Sequence, residues 1–354
     1  MSFTSRAVGS VVGRVVGLGG LLLLGGCGRP LPERSSPELV VLSTSPTPVL
    51  IDRLGDELAW LDRDRQTVVW YRAGQQLALS PFIFPEAAGM ENEHLRAFAD
   101  GSFALTEDGT IFLYRADGTA DFAQLPWHYS MGVDGVSIDD FWCWVGSPKE
   151  ALPGLAEGVS AACHIVNGQV AECVVPYGRG DFWDGNVALG SDGSVYVGGS
   201  SDILVRIADG RAEEIVSDTM GFARFFRHGD TLVALSLESK LFEIRGSEVI
   251  PLPAVGQVFD FVGQSDDFYY GTWDSEWGNR DSSCVGYVAS DCYQNLVWRE
   301  QVIWHFDHGT TTEVGHEQCF DSDYETCGQT IDAMALDQGE PILFGHVVRG
   351  LGAP

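Results

Sequence analysis

The charged, aromatic and cysteine residues that could do chemistry lie outside the regular parts of this chain. Asp321, Asp323 and Glu325 occupy alternate positions between Cys319 and Cys327. Alternating carboxylates can converge on a hard cation, so these three acidic residues are a candidate Ca²⁺ site. The run lacks the early glycine and the terminal glutamate of a complete Ca²⁺-binding loop, so a stapled, solvated acidic loop is the competing interpretation.

Two other runs place aromatic rings beside a polar partner. They are Trp127-His128-Tyr129 and Phe182-Trp183-Asp184. Aromatic side chains next to carboxylates suit stacking on sugar rings or contact with a peptide, because they offer flat area at little entropic cost. We predict that these six residues belong to a ligand-binding face for a protein or a glycan; packing of the same rings between structural units is the alternative.

Motifs for covalent or cofactor chemistry are missing from the sequence. There is no nucleophile elbow, phosphate-binding loop or dinucleotide fingerprint. His305, His308 and His316 have a spacing that suggests zinc, but a strand and its turn need not direct His305 and His308 the same way. We therefore assign no catalytic residue, expect no cofactor other than a possible Ca²⁺, and favour a protein that is not an enzyme.

The first 27 residues predict export and lipid attachment. Residues 1–26 combine Arg6 and Arg14 with an apolar run over 15–24, which is typical of a signal peptide. The sequence Leu24-Gly25-Gly26-Cys27 resembles the bacterial lipobox. That resemblance implies cleavage before Cys27, attachment of acyl chains such as palmitate to this cysteine, and a membrane anchor without a spanning helix. An ordinary signal peptide or an uncleaved anchor helix is the alternative, although the apolar run is shorter than the ~20 residues that a bilayer requires.

The residues after the anchor predict a tether and then a folded domain. Residues 27–37 contain the lipidated cysteine and a Pro/Ser-rich stretch, and we expect them to hold the domain of residues 38–354 away from the lipid. Under the common enterobacterial rule, an aspartate directly after the lipidated cysteine signals retention in the inner membrane. In this chain that position is Gly28. We therefore expect the outer membrane, on its periplasmic side or at the cell surface.

Composition agrees with an exported, acidic protein. The chain has 50 Asp and Glu against 21 Lys and Arg, a net charge of −29, which argues against nucleic acid as a partner because a phosphate backbone requires clustered cations. Close cysteine pairs in an exported protein favour local disulfides. We predict the pairs Cys163–Cys173, Cys284–Cys292 and Cys319–Cys327. Cys143 is left as a buried thiol, unless it pairs with Cys163 or Cys173 instead.

A repeat predicts the elements that position these groups. Seven times an Asp- or Gly-rich turn opens into a short run of aromatic and β-branched residues, as in Asp100-Gly101-Ser102-Phe103 and Asp192-Gly193-Ser194-Val195. Most copies are about 40 residues apart, and each contains further strand-like runs and a hairpin turn such as Asn167-Gly168. Each copy therefore predicts a unit of about four antiparallel strands.

Four-stranded units repeated at this period resemble the blades of a β-propeller. The resemblance implies an all-β fold with a single propeller of seven four-stranded blades; six blades, or a pair of β-sandwich domains, are the alternatives. The last unit runs out of chain after two strands, so we predict that the run at 39–42 completes it and that N- and C-terminal strands share the last blade. Residues 272–294 are expected to form an inserted loop in blade six, stapled by Cys284 and Cys292.

The favoured function is a lipid-anchored, extracytoplasmic module of the cell envelope that binds a protein or a glycan. The alternative is a channel-centred Ca²⁺-dependent hydrolase of the lactonase-like or polysaccharide-acting type, and an envelope assembly scaffold is a third possibility. Acids near the starts of the first strands could ring such a channel, although a structural role is the simpler interpretation. These acids are Glu93, Asp134, Asp184, Asp260 and Asp332.

Overall fold

The chain divides into two units, Met1–Leu31 and Pro32–Pro354. The computed structural model describes residues 34, 36, 38–43, 49–54, 57–62, 67–72, 75–81, 94–98, 100–107, 110–115, 120–123, 132–146, 159–176, 186–199, 203–216, 221–228, 230–279, 294–320, 331–337, 339–345 and 348–351, all of them in the second unit. That unit begins at Pro32, whereas the sequence placed the start of the domain at residue 38. No helix long and apolar enough to cross a membrane occurs among the described residues.

The described residues form seven four-stranded antiparallel sheets, as the repeat predicted. The first three sheets are β2 (Val49–Leu54), β3 (Glu57–Asp62), β4 (Thr67–Arg72) and β5 (Gln75–Pro81); β6 (His94–Ala97), β7 (Phe103–Glu107), β8 (Thr110–Tyr114) and β9 (Ala120–Ala123); and β10 (Val133–Ser137), β11 (Asp140–Val145), β12 (Ala161–Val166) and β13 (Gln169–Val174). The fourth and fifth are β14 (Asn186–Leu189), β15 (Val195–Gly198), β16 (Ile203–Ala208) and β17 (Arg211–Val216); and β18 (Phe222–His228), β19 (Thr231–Ser236), β20 (Leu241–Arg245) and β21 (Glu248–Pro251). The sixth is β22 (Gln257–Gln264), β23 (Asp267–Asn279), β24 (Gln294–Asp307) and β25 (Thr310–Phe320), and the seventh is β26 (Ile331–Asp337), β27 (Glu340–Gly345), β28 (Val348–Gly350) and β1 (Val40–Ser43).

Strands from both ends of the chain share the seventh sheet. Its order is β1-β28-β27-β26, and β1 pairs antiparallel with β28 through Val40 opposite Gly350 and Val41 opposite Arg349. The first strands of several sheets also lie beside one another: β10 beside β14, β14 beside β18, β18 beside β22, and β22 beside β26. The first strand of the first sheet, β2, contacts both β6 and β26. The first sheet therefore contacts the seventh.

Two of the turns that open a unit are explained by local backbone chemistry. In Asp192-Gly193-Ser194 the aspartate accepts hydrogen bonds from the Ser194 backbone N–H at 3.0 Å and from its hydroxyl at 2.9 Å. Asp100 binds the backbone and hydroxyl of Ser102 in the same way. The glycine between takes a positive φ, 78° at Gly193, which glycine adopts without a steric penalty. The repeated acidic residue is thus part of the turn.

The core consists of apolar layers between successive sheets. Phe141 and Cys143 of β11 face the second sheet and pack with its Phe98, whereas Trp144 faces the fourth sheet and packs with its Val197. Both faces of a central strand are therefore buried, which explains why β11 reads Asp-Phe-Trp-Cys-Trp-Val with no polar alternation after its first residue.

The sixth unit is long because strands β23 and β24 are extended, as well as because it contains an insertion. Strands β23 and β24 pair from Asp267 opposite Asp307 out to Asn279 opposite Gln294. Residues 272–279, which the sequence assigned to an inserted loop, continue β23 instead. Residues 280–293, including Cys284 and Cys292, lie outside the described residues.

Three cysteines form one row across the third sheet. Cys143 of β11 lies opposite Cys163 of β12, which lies opposite Cys173 of β13. Cys163 and Cys173 form the predicted disulfide with their Cα atoms 4.1 Å apart, and Cys143 is free and buried. A Cα separation this short is typical of a non-hydrogen-bonded pair in an antiparallel sheet. The backbone N–H and C=O of Cys163 therefore point toward β11, and Cys163 and Cys143 form a hydrogen-bonded pair, for which the Cα atoms usually lie about 5.5 Å apart. Burial raises the pKa of the Cys143 thiol well above its ordinary value. The alternative pairings of Cys143 are therefore not formed.

Candidate functional site

Most of the predicted site residues lie outside the part of the chain that the structure describes. They are Cys27, Trp127, His128, Tyr129, Phe182, Trp183, Asp184, Cys284, Cys292, Asp321, Asp323, Glu325 and Cys327. Cys319 is described as a backbone position of β25 but without its side chain. The lipidation site, the aromatic ligand face, the Ca²⁺ loop and the two other disulfides therefore stay predictions.

Two of the acids predicted to line a channel, Asp134 and Asp260, have described side chains, and both connect neighbouring sheets; Asp332 is described only as a backbone position of β26. Asp134 of β10 is 2% exposed and Asp260 of β22 is fully buried. Oδ2 of Asp134 accepts the backbone N–H of Leu189 in β14 at 2.7 Å, and Oδ2 of Asp260 accepts that of Met334 in β26 at 2.6 Å. Each carboxylate thus joins the first strand of one sheet to the first strand of the next. A structural role explains both acids.

Asp134 is also where charged side chains from three sheets converge. Arg96 of β6 donates from Nη2 to Oδ1 of Asp134 at 2.5 Å. Arg227 of β18 places its Nη2 3.8 Å from the same oxygen and donates from Nη1 to the Leu189 carbonyl at 3.4 Å. We call Arg96, Asp134, Leu189 and Arg227 the Asp134 cluster. It joins the second, third, fourth and fifth sheets and holds two guanidinium groups beside one carboxylate.

The third sheet carries an aspartate–histidine–aromatic arrangement that the sequence analysis missed. The imidazole of His164 stacks on Trp142, with ring centroids 4.8 Å apart and planes 2° from parallel. Its Nε2 lies 2.6 Å from Oδ1 of Asp140, the first residue of β11. The cross-strand pairing of Trp142 with His164 brings the two rings together.

The sixth sheet repeats this arrangement at equivalent positions. Tyr269 stacks on His305 at 4.2 Å, and Nε2 of His305 lies 2.8 Å from Oδ1 of Asp267, the first residue of β23. Burial, followed by the nearby charges of Glu340, Asp267 and Asp307, raises the pKa of Tyr269 to about 12. The shared sequence signal is Asp-Phe followed by Trp or Tyr, but its histidine partner lies on another strand. In both sheets the arrangement joins the second strand to the third.

The histidines of the sixth sheet bind different partners. His305 pairs with Asp267, whereas Nδ1 of His308 lies 2.7 Å from Asp307, and hydrogen bonding to Asp307 raises the pKa of His308 above its ordinary value. His316 interacts instead with Ser36 near the N-terminus. Among the described residues, no group of three or more histidine, cysteine or acidic side chains is placed to hold a metal ion.

Residues predicted to be a tether are docked on the sixth sheet. Nε and Nη2 of Arg34 donate to the two carboxylate oxygens of Glu300 at 3.0 and 2.6 Å, and Nη1 donates to Glu313 at 2.9 Å. The Glu300 side chain is 1% exposed. Burial alone would raise the pKa of Glu300, but hydrogen bonds from Arg34 and Gln318 outweigh it, so the pKa lies below its ordinary value. Arg34, which the sequence assigned to a tether, is therefore bound to the sixth sheet.

The same segment continues along the outer strand of that sheet. The Ser36 hydroxyl binds Glu313 at 2.5 Å, and the Leu39 backbone N–H donates to the His316 carbonyl at 2.9 Å. A Cβ at Gly315 would lie 2.7 Å from Cδ2 of Leu39, so the glycine makes room for this side chain. We call the described residues Arg34, Ser36, Glu38 and Leu39 the N-terminal strap. It connects β25 with β1 of the seventh sheet.

Comparison with known proteins shows the fold. The sequence matches no protein-family model and no curated protein. A streptogramin B lyase structure is similar at a TM-score of 0.56 and 13% identity, over 89% of this chain and 96% of that one. A chain of a mitotic checkpoint complex is similar at 0.53 and 13%, over 92% and 95%. The C-terminal WD40 domain of Sif2 is similar at 0.50 and 8%, over 90% and 99%. The structural neighbours are β-propeller, WD40-like repeat proteins.

Proposed function

We propose that this protein is a lipid-anchored binding module of the cell envelope, built as a single seven-bladed β-propeller. The contact of β2 with β26 and the seventh sheet shared by both chain ends support ring closure. The lipobox-like sequence at Leu24–Cys27 supports the anchor. The Cys163–Cys173 disulfide supports an oxidising compartment outside the cytoplasm, with the outer membrane as the proposed location.

One observation favours binding over catalysis. Asp134 and Asp260, the two acids of the predicted channel whose side chains are described, are buried and hold backbone N–H groups of neighbouring sheets. A carboxylate that is engaged in this way stabilises the scaffold. Propellers commonly present ligands with exposed loops, and here the undescribed aromatic runs, Trp127-His128-Tyr129 and Phe182-Trp183-Asp184, supply the proposed face for a protein or glycan.

A channel-centred enzyme is the second candidate, because a neighbour with the same fold is by its title an enzyme, a lyase. For this chain the proposed reaction of that enzyme is hydrolysis, which differs from the neighbour's lyase reaction. In that account Ca²⁺ would bind near a central channel, or between Asp321, Asp323 and Glu325, and turnover would require Asp184 or Asp332. Cation-dependent turnover of a lactone or polysaccharide, lost in Asp184→Asn or Asp332→Asn, would favour this second function.

Anchoring is tested by metabolic labelling with an alkyne analogue of palmitate in a bacterial host. We expect the wild-type chain to be labelled and to sediment with membranes, because Cys27 accepts the acyl chain. Cys27→Ala should be unlabelled and should leave the membrane fraction. Cys143→Ala is the matched control, since its thiol is fully buried; equal labelling of Cys27→Ala and wild type would contradict the anchor.

A further inference from the structure

We propose that the end of the sixth sheet around Tyr269 is a docking site for an arginine side chain of a protein partner. This inference rests on the proposed binding function and names the chemistry that the partner supplies. The site consists of one tyrosine and four acidic residues, which we call the Tyr269 patch. Its members are Asp266, Asp267, Tyr269, Asp307 and Glu340.

The strand register brings the patch together. Side chains two residues apart lie on one face of a strand, so Asp267 and Tyr269 share a face of β23 and His305 and Asp307 share a face of β24. Asp267 lies opposite Asp307, and Tyr269 lies opposite His305. This face packs on the seventh sheet, which contributes Glu340 at the start of β27. Like charges directly opposite each other are unfavourable, so a cation bound between the two aspartates would stabilise the pair.

The hydroxyl of Tyr269 is the buried polar group that points into this patch. The residue is 9% exposed and its ring stacks on His305. Its hydroxyl makes no hydrogen bond with any residue that the structure describes. The charges of Glu340, Asp267 and Asp307 act on this hydroxyl, and together with burial they raise its pKa to about 12. Buried tyrosines usually find a partner for the hydroxyl, and a phenolic oxygen among carboxylates can accept a hydrogen bond from a cation.

The patch stays negative whatever the state of its histidines. His305 lies 2.8 Å from Asp267, and His308 lies 2.7 Å from Asp307 and 3.8 Å from Asp266. Among the side chains that the structure describes, no lysine or arginine pairs with any of the four carboxylates. Four carboxylates against two imidazoles leave a net charge of −2 even when both imidazoles are protonated.

The third sheet shows which cation such a turn binds. Asp139 there is equivalent to Asp266, and Arg115 binds it through Nη1 at 2.9 Å and Nη2 at 3.0 Å. Opposite Asp140 the third sheet carries Val166, where the sixth sheet has a second aspartate. The third sheet therefore has one acid fewer and supplies its own guanidinium. An arginine of another molecule would complete the sixth sheet in the same way.

The carboxylates are open to a partner. The side chains of Asp266, Asp267 and Asp307 are 66%, 58% and 62% exposed. Exposed ion pairs are individually weak, so charge alone would give little affinity. A guanidinium has five N–H donors in a planar fork and can bind a carboxylate and the Tyr269 hydroxyl together, whereas a lysine ammonium is a compact point charge.

The experiment is calorimetric titration of the purified full-length chain in detergent at about 0.15 M salt, where distant charges are largely screened. The probe is acetyl-Gly-Arg-Arg-Gly-amide, and its counterparts carry lysine or glutamine in place of both arginines. We expect saturable binding of the arginine peptide, several-fold weaker binding of the lysine peptide, and none of the glutamine peptide. Because a net charge of −29 attracts any cation, variants must locate the binding.

Two matched pairs of variants do so. Tyr269→Phe removes only the hydroxyl and should weaken binding of the arginine peptide about fivefold. Tyr196→Phe should not change it, because that hydroxyl already donates to the Gly246 carbonyl at 3.1 Å. Asp307→Asn should weaken binding about threefold or more. Asp209→Asn removes the same charge from an exposed turn of the fourth sheet and should have no effect.

Both patch variants should fold, because Tyr269→Phe keeps the buried ring and Asp307→Asn relieves repulsion; a urea titration checks this, and either variant alone is decisive. The proposal is overturned if the arginine peptide does not bind, if the lysine peptide binds equally well, or if the patch variants bind as their controls do. An envelope partner could still be captured through other surfaces, so the proposed binding function and this site fail separately.

Discussion

Replacing Asp134 with alanine should lower the free energy of unfolding by about 3–5 kcal/mol, the cost of removing one partner from a buried ion pair. The substitution removes the carboxylate that Arg96 binds at 2.5 Å and leaves the Leu189 N–H without its acceptor. Because Arg96 and Leu189 lie on different sheets, the whole unit should unfold cooperatively at a lower urea concentration. Urea denaturation followed by tryptophan fluorescence measures it.

Asp140→Ala is the matched control for Asp134→Ala. Asp140 also lies in the third sheet, but its carboxylate is 54% exposed and pairs with the His164 imidazole. Exposed pairs contribute at most about 1 kcal/mol, so this variant should unfold nearly as the wild type does. Equal losses in the two variants would mean that Asp134 does not hold the sheets together.

Replacing Arg34 with methionine should be the second large loss, about 3 kcal/mol at neutral pH, because it leaves the carboxylate of Glu300 buried without its cation. Glu300 is 1% exposed and receives two hydrogen bonds from Arg34. Arg211→Met, an exposed arginine on β17, is the control and should have little effect. If Arg34 belonged to a free tether, as the sequence predicted, Arg34→Met and Arg211→Met would have the same free energy of unfolding.

The loss at Arg34 should depend on pH with a definite sign. The folded-state pKa of Glu300 lies below its ordinary value, so its ionisation stabilises the wild type above the ordinary glutamate pKa of about 4.3. That stabilisation disappears as the pH falls through the lower, folded-state pKa. In Arg34→Met the lowering by Arg34 is lost while burial, the Gln318 hydrogen bond and the charge of His316 remain, so the pKa of Glu300 should rise and protonation should favour the folded state. The difference between the two proteins should therefore shrink as the pH is lowered toward 4, and a constant difference would argue against the pair.

The local part of the fold was predictable from the sequence. Turns such as Asp192-Gly193-Ser194 and Asn167-Gly168 carry their own backbone chemistry, because a positive φ and an acceptor side chain are properties of a few adjacent residues. Four-stranded sheets follow once such turns recur at a regular spacing. The completion of the seventh sheet by β1 was predictable for the same reason, since the last unit lacked strands.

The contacts between distant units were not predictable in this way. Arg34 binds Glu300, which is 266 residues away in the sequence. The Pro- and Ser-rich residues around Arg34 are typical of a tether, and the sequence contains no sign that Glu300 is the partner. Arg96 and Arg227 meet Asp134 only because separate sheets place them together. The sequence identified Asp134 as one of several acids near strand starts, but a single sequence carries no signal for which of them pairs with an arginine.

The aspartate–histidine–aromatic arrangements were only partly predictable from the sequence. Asp140-Phe141-Trp142 and Asp267-Phe268-Tyr269 are similar enough in sequence to be found together. Their histidines, His164 and His305, stand on the next strand after connections of different length, so only the strand register reveals them. Searching each opening turn for a histidine on the following strand would have found both.

Quantitative capture of a partner tests the proposed binding function most directly. The full-length chain is immobilised through a C-terminal tag, exposed to detergent-solubilised envelopes of its own organism at about 0.15 M salt, and compared with the same chain after thermal unfolding. The binding module predicts at least one protein or glycan retained in stoichiometric amount by the folded chain and absent from the unfolded control. Retention of nothing above that control, together with cation-dependent turnover of a lactone or polysaccharide, would contradict it.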